Sequence, residues 1–81
     1  MKIGVQFFSR LRDVAGVTET QIEIREGATA GDLLEIIYAS TPELRDWDKS
    51  ILVGAGLEFV KRDYVLKRDD QIAVMPPVQG G

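Results

Sequence analysis

The chain predicts an α+β fold: a mixed sheet with one main helix laid on one face. Three observations lead there. Two alternating segments stand near the start, residues 2–8 and 18–26. One long stretch at helical spacing follows, residues 30–40. Short apolar runs separated by glycines and charged turns then continue through residue 75. Strands, a helix and strands again pack as two layers around a single core.

In residues 2–8, KIGVQFF, Ile3, Val5 and Phe7 point to one side and Gly4, Gln6 and Phe8 to the other. This is a strand with one buried face, and Phe8 is a large apolar group on the side opposite to that face. In SRLRDVAG, Ser9 is placed to N-cap a short helix, Leu11, Val14 and Ala15 to pack inward, and Gly16 to end it. Residues 18–26 alternate again, with Thr20, Ile22 and Ile24 on one side. Glu26-Gly27 turns the chain. Thr29 with Asp32 resembles a capping box, with Asp in the place usually taken by Glu or Gln. Leu33, Leu34, Ile36, Ile37 and Tyr38 make the apolar stripe of the helix at 30–40, and Thr41-Pro42 stops it, because the residue before proline avoids helical angles. PELRDWDK reads as a polar loop whose Trp47 packs at the domain edge. Residues 50–54 and 57–60 read as strands, 63–70 as a short strand or extended segment with a turn, and 71–75 as the last strand. There Ile72 and Val74 share one face, Ala73 and Met75 the other. The expected buried set is Ile3, Val5, Phe7, Ile22, Ile24, Leu33, Ile37, Ile72 and Val74.

Element order sharpens this to a ubiquitin-like β-grasp: a β-hairpin, one helix and a returning set of strands, with the first and last strands parallel at the sheet centre. Phe8 and Met75 then lie together at matching strand ends on the uncovered face, and a cluster of exposed apolar groups marks an interface. Residues 1–75 form the domain and 76–81 an extended tail, PPVQGG.

Composition narrows the chemistry. The 81 residues are 44% hydrophobic and 28% charged, an ordinary globular balance. They contain no cysteine and no histidine, so disulfides, thiolate catalysis and the usual general base are excluded. A net charge of −3 offers no basic field for nucleic acid or a membrane surface. The start, MKIGVQFF, does not read as a signal peptide, and no apolar run approaches a membrane span, so a cytoplasmic protein is expected. Gly54-Ala-Gly56 lacks the lysine of a phosphate loop. Asp69-Asp70 reads as a solvated turn and not as a metal site. Lys61-Arg62 and Lys67-Arg68 read as hairpin rims, and Ser9 and Ser50 lack a base to activate them. Asp32 and Glu35 lie on the polar side of the helix. The domain offers no acid, base, nucleophile or metal site of its own, and no bound cofactor is expected.

The tail is different. Pro76 and Pro77 fix φ and favour an extended course, so Pro76 to Gly81 reaches roughly 20 Å. Gly80 and Gly81, without side chains, fit a narrow channel. The reactive group is expected to be the Gly81 α-carboxylate, which needs activation by another protein.

MPPVQGG at the end, VQFFSRLRDVAG at 5–16 and YVLKRDDQIAV at 64–74 together resemble the small subunit of molybdopterin synthase over the whole chain. Pro-Pro-Val-x-Gly-Gly after a strand is the most specific part. Ala55-Gly56, Arg68-Asp69-Asp70 and Val74-Met75 depart from the family's usual residues. The resemblance implies that an E1-like enzyme adenylates Gly81 with ATP and Mg²⁺, and that a sulfur donor turns the adenylate into a thiocarboxylate. The tail, Pro76, Pro77, Val78, Gln79, Gly80 and Gly81, then enters a large catalytic subunit that builds the dithiolene from cyclic pyranopterin monophosphate. Phe8 and Met75 would dock on these partners, with Arg12, matched to a family arginine, at the rim. Three other readings fit the same residues: a sulfur carrier for thiamine thiazole or tRNA thiolation, a ubiquitin-like modifier joined through Gly81, and a plain interaction domain.

Overall fold

The computed structural model describes residues 1–77; Val78, Gln79, Gly80 and Gly81 lie outside the described residues. The chain runs through β1 (Lys2–Phe7), α1 (Arg10–Ala15), β2 (Glu19–Glu23), α2 (Ala30–Ser40), a 3₁₀ helix (Pro42–Ser50), β3 (Leu52–Ala55), β4 (Glu58–Val60) and β5 (Gln71–Met75). The strands form one sheet in the order β2-β1-β5-β3-β4. β1 and β5 are parallel neighbours, with Val5 opposite Ile72 and Phe7 opposite Val74; the other pairs are antiparallel. The first and last strands thus lie together in the sheet, as the β-grasp expectation requires.

The alternation in the sequence decides which face α2 covers. Ile3, Val5, Phe7, Val53, Ile72 and Val74 are buried beneath it. From the helix come Leu33, Leu34, Ile37 and Tyr38, while Ile36 turns outward. The capping box forms: the Asp32 N–H donates to Thr29 Oγ1 at 3.2 Å, and the Thr29 N–H donates to Asp32 Oδ2 at 3.0 Å. That backbone bond from Thr29 holds the Asp32 carboxyl below its ordinary pKa. The next two N–H groups, Ala30 and Gly31, donate to the carbonyls of Tyr64 and Arg62 at 2.9 and 2.8 Å. A Cβ at position 31 would stand 3.2 Å from the Arg62 oxygen, so glycine suits this close approach. Ile37→Ala should cost about 2–5 kcal/mol through lost burial plus the cavity left behind. Urea melts measure it, and a loss below about 0.5 kcal/mol would mean that this helix face is not core.

Three local expectations are corrected, and a fourth, the extended segment with a turn at 63–70, is resolved in detail. Ser9 does not cap α1: it has φ 53° and ψ −130°, and its side chain makes no cap bond. Instead Phe8-Ser9-Arg10-Leu11 closes a tight turn in which the Leu11 N–H donates to the Phe8 carbonyl at 3.1 Å. Residues 42–50 form a 3₁₀ helix where a polar loop was expected, because Leu44 is fully buried and anchors it. Residues 63–70 contribute a single bridge, Val65 to Thr29, and Leu66 fills the core from an irregular backbone. Ile22 is half-buried, because β2 is an edge strand. The remaining eight residues of the expected buried set, Ile3, Val5, Phe7, Ile24, Leu33, Ile37, Ile72 and Val74, are buried.

Candidate functional site

The uncovered face is built from the residues that alternate with the core. One row runs across the strands from Phe59 on β4 through Gly54 and Ala73 to Gln6 and Glu19. The β1–β2 half of this face is polar and the half toward β4 is apolar. The Phe8 N–H donates to the Val74 carbonyl at 3.1 Å, so the parallel register continues one residue past β1 and sets Phe8 beside Met75. Phe8 is 42% exposed and Met75 half-buried. Both line a shallow groove of about 260 Å³ with Leu57 and Phe59. A Cβ on Gly54 would lie 3.3 Å from the Met75 methyl, so the bare glycine leaves room for Met75 to lie across the sheet.

The sequence reading found Phe8 and Met75 and missed their neighbours. Phe59 is 69% exposed and Leu57 fully so. Phe59 could have been found from its alternation with Val60, which faces the core; Leu57 sits in a turn, where parity gives no signal. A contiguous apolar surface of this kind is costly in water and fits a partner's apolar anchor. Arg12 is exposed on α1 but lines neither groove of this face; Arg10 does. Neither arginine has an ion-pair partner among the described residues.

The tail root emerges next to this surface. Phe8, Ser9, Arg10, Trp47, Met75, Pro76 and Pro77 line a second groove of about 540 Å³, continuous with the first through Phe8 and Met75. The tail residues expected to carry the chemistry, Val78, Gln79, Gly80 and Gly81, lie outside the described residues. Among the described residues no cluster of acidic side chains could hold a metal ion, and no helix is long and apolar enough to cross a membrane.

Trp47 reaches the groove from the 3₁₀ helix, which a polar network pins to the body. The Tyr38 hydroxyl and the Arg62 guanidinium (2.9 Å) both donate to Asp48 Oδ1, and Arg62 also donates to the Asp48 and Ile51 carbonyls at 2.7 and 3.1 Å. The Tyr38 bond, then the Arg62 bond, holds the Asp48 carboxyl below its ordinary 3.8, and burial together with Asp48 pushes the Tyr38 hydroxyl up. A carboxylate with a depressed folded-state pKa adds stability that is fully present above its unfolded value and fades as pH falls through the folded one. Asp48→Asn should therefore destabilise the protein by about 1 kcal/mol at neutral pH, a figure kept small by partial solvent screening. The difference from the parent should shrink below about pH 4, as thermal melts against pH would show. A gap that stays constant down to about pH 2 would mean that the Asp48 charge contributes nothing.

Comparison with known proteins agrees with this architecture. The ThiS family model matches residues 5–81. The chain is 37% identical over 83 residues to the molybdopterin synthase sulfur carrier subunit of Chlamydomonas reinhardtii, covering 100% of both chains. Among solved structures it is similar to a Pyrococcus furiosus chain described as molybdopterin converting factor subunit 1, with a TM-score of 0.87, 34% identity, and 96% of this chain and 99% of that one covered. It is also similar to SAMP1 from Haloferax volcanii, with a TM-score of 0.86, 27% identity and 100% of both chains covered. A hairpin, a capped helix, parallel central strands and an apolar open face beside a Pro-Pro root, matched along nearly the whole length, make this chain a member of the ThiS family of ubiquitin-like β-grasp proteins.

Proposed function

We propose that this protein is the sulfur-carrier subunit of a molybdopterin synthase. The observation that carries the reading is the end-to-end likeness to the Chlamydomonas reinhardtii carrier subunit, at 37% identity over 83 residues. The division of labour suits it. The domain supplies an apolar docking face beside the Pro76-Pro77 root, and the partners supply the catalytic groups. In this mechanism an E1-like enzyme, using ATP and Mg²⁺, joins the Gly81 carboxylate to AMP and releases pyrophosphate. Sulfur at the sulfide level attacks the acyl carbon and AMP leaves, giving the thiocarboxylate; from a persulfide donor the first product is an acyl disulfide, whose S–S bond a thiol then reduces to release it. The large subunit then transfers that sulfur to cyclic pyranopterin monophosphate, and hydrolysis restores the carboxylate. All of these steps belong in the cytoplasm, where ATP is available.

Reconstitution tests this. With the large subunit, the adenylating enzyme, ATP, Mg²⁺ and a sulfur source, the protein should turn cyclic pyranopterin monophosphate into molybdopterin. The likeness to Haloferax volcanii SAMP1 favours one other reading, a modifier joined to lysines through Gly81. High-mass conjugates in the cell without pterin conversion in the reconstituted system would select it.

A further inference from the structure

We propose that the outer edge of β2 is a docking site for an extended segment of another protein, one in which apolar residues alternate with lysine or arginine. β2 ends the sheet, with β1 as its one neighbour. The Phe7 N–H donates to the Thr18 carbonyl at 2.9 Å, and Met1 and Ile24 exchange main-chain bonds at 2.8 Å. In an antiparallel ladder, residues that bond to the neighbouring strand alternate with residues that do not. Thr18, Thr20, Ile22 and Ile24 therefore bond to β1. The N–H and C=O groups of Glu19, Gln21 and Glu23 point outward, with no partner among the described residues. The register runs from Lys2 opposite Glu23 to Gln6 opposite Glu19 without a bulge, and β2 holds no proline. An unbroken row of donors and acceptors is left open to another strand.

The two sides of this edge differ, and the difference selects the occupant. Thr20 and Ile22 lie on the covered face, across from Val5 and Ile3, and both are half-buried. Beside them a shallow groove of about 160 Å³ opens between β2 and the end of α2, lined by Val17, Thr20, Ile22, Ile37 and Thr41 among others. Val17 is 46% exposed there. Glu19, Gln21 and Glu23 stand on the open face, all exposed. Neither glutamate has an ion pair among the described residues, although Lys2 lies across from Glu23. An added strand points successive side chains to opposite faces. Its apolar residues would meet Thr20, Ile22 and the groove, and its cations would lie beside Glu19 and Glu23, where opposite charges across a strand pair are favourable. A second copy of this chain is a poor occupant. Two-fold antiparallel pairing of β2 about Gln21 sets Glu19 against Glu23 of the other copy, twice, and like charges directly opposite are destabilising. In this mode of binding the main-chain bonds supply affinity and the alternate side chains supply selectivity. The site lies at the opposite edge of the sheet from β4 and Phe59, so it adds a partner without using the apolar open face.

Amide exchange and chemical shifts of the isotope-labelled full chain test this. In the protein alone, the amides of Glu19, Gln21 and Glu23 should exchange with solvent quickly, and those of Thr20 and Ile22 slowly. The probe is a capped peptide of alternating valine and lysine, a little longer than β2. Adding it should slow exchange at Glu19, Gln21 and Glu23 and shift the amides along β2. Replacing its valines by serine, or regrouping the same residues into a valine block and a lysine block, should weaken binding about tenfold. Glu19→Lys together with Glu23→Lys should weaken the valine–lysine peptide about tenfold and favour a valine–glutamate peptide instead. Gln21→Pro removes one outward N–H and no bond to β1, and should weaken the peptide about tenfold as well. If that variant does not fold, the charge-reversed variant decides alone. Absence of binding, equal binding of the regrouped peptide, or shifts centred on Phe59 and the apolar open face would overturn the proposal. So would slow exchange at the outward amides that sets in with protein concentration alone, because a second copy would then occupy the edge. None of these outcomes bears on the sulfur-carrier reading, which the reconstitution tests separately.

Discussion

Deleting Gly81 should abolish sulfur loading and leave the melting temperature unchanged. On the proposed function, the deletion leaves a carboxylate on Gly80, roughly 3.3 Å short of where an activating enzyme would act on Gly81. A displacement of about 1 Å can cost a hundredfold in rate, so a full residue should leave the variant close to inactive. Adding one residue after Gly81 should have the same effect for a different reason: the Gly81 carbonyl becomes an amide, which has no carboxylate oxygen to attack ATP. No core side chain is altered in either case. Intact-mass analysis after incubation with the adenylating enzyme, ATP, Mg²⁺ and a sulfur source gives the answer. The parent should gain the mass difference between sulfur and oxygen in its C-terminal peptide, and neither variant should. Thiolation of the shortened chain at the parental rate would mean that Gly81 is not the carrier.

The layout of the domain was legible because it rests on periodicity. Alternation placed Ile3, Val5, Phe7, Ile72 and Val74 on one face, and parity then put Phe8 and Met75 on the other. Local geometry set by distant contacts was not legible. The 3₁₀ helix at 42–50 has a polar sequence, and its shape follows from a buried Leu44 and from an Asp48 that finds Tyr38 and Arg62 across the fold. Leu66 is core although its backbone is irregular, because its N–H donates to the Ala28 carbonyl at 2.8 Å and carries the side chain inward. Ser9 adopts a positive φ that sequence rules reserve for glycine. Holding it there costs of order 1–3 kcal/mol, and what it secures is the turn after β1 that brings Arg10 into the tail-root groove.

The remaining large effect concerns the apolar open face around Phe8, the docking face of the proposed function. Phe8→Asp should leave the fold within about 1 kcal/mol of the parent and weaken binding to the large subunit more than a hundredfold. Stability is spared because Phe8 is 42% exposed, and its ladder contact is made by the backbone N–H to Val74, which the substitution keeps. Binding suffers because Phe8 is common to both grooves, flanked by Met75, Phe59 and Leu57 in one and by the tail root in the other. A carboxylate there must be desolvated against the apolar groups of the face, a penalty of about 3–5 kcal/mol that Arg10, in the tail-root groove, offsets only in part. Phe59→Ala, at the margin of the same surface, should cost less, about 1–2 kcal/mol of binding, because its ring is more solvated in the free protein. Urea melts and titration calorimetry on the same preparations separate the two effects. If Phe8→Asp unfolds the domain, Phe8 belongs to the core. If it melts and binds like the parent, the partner docks on another surface.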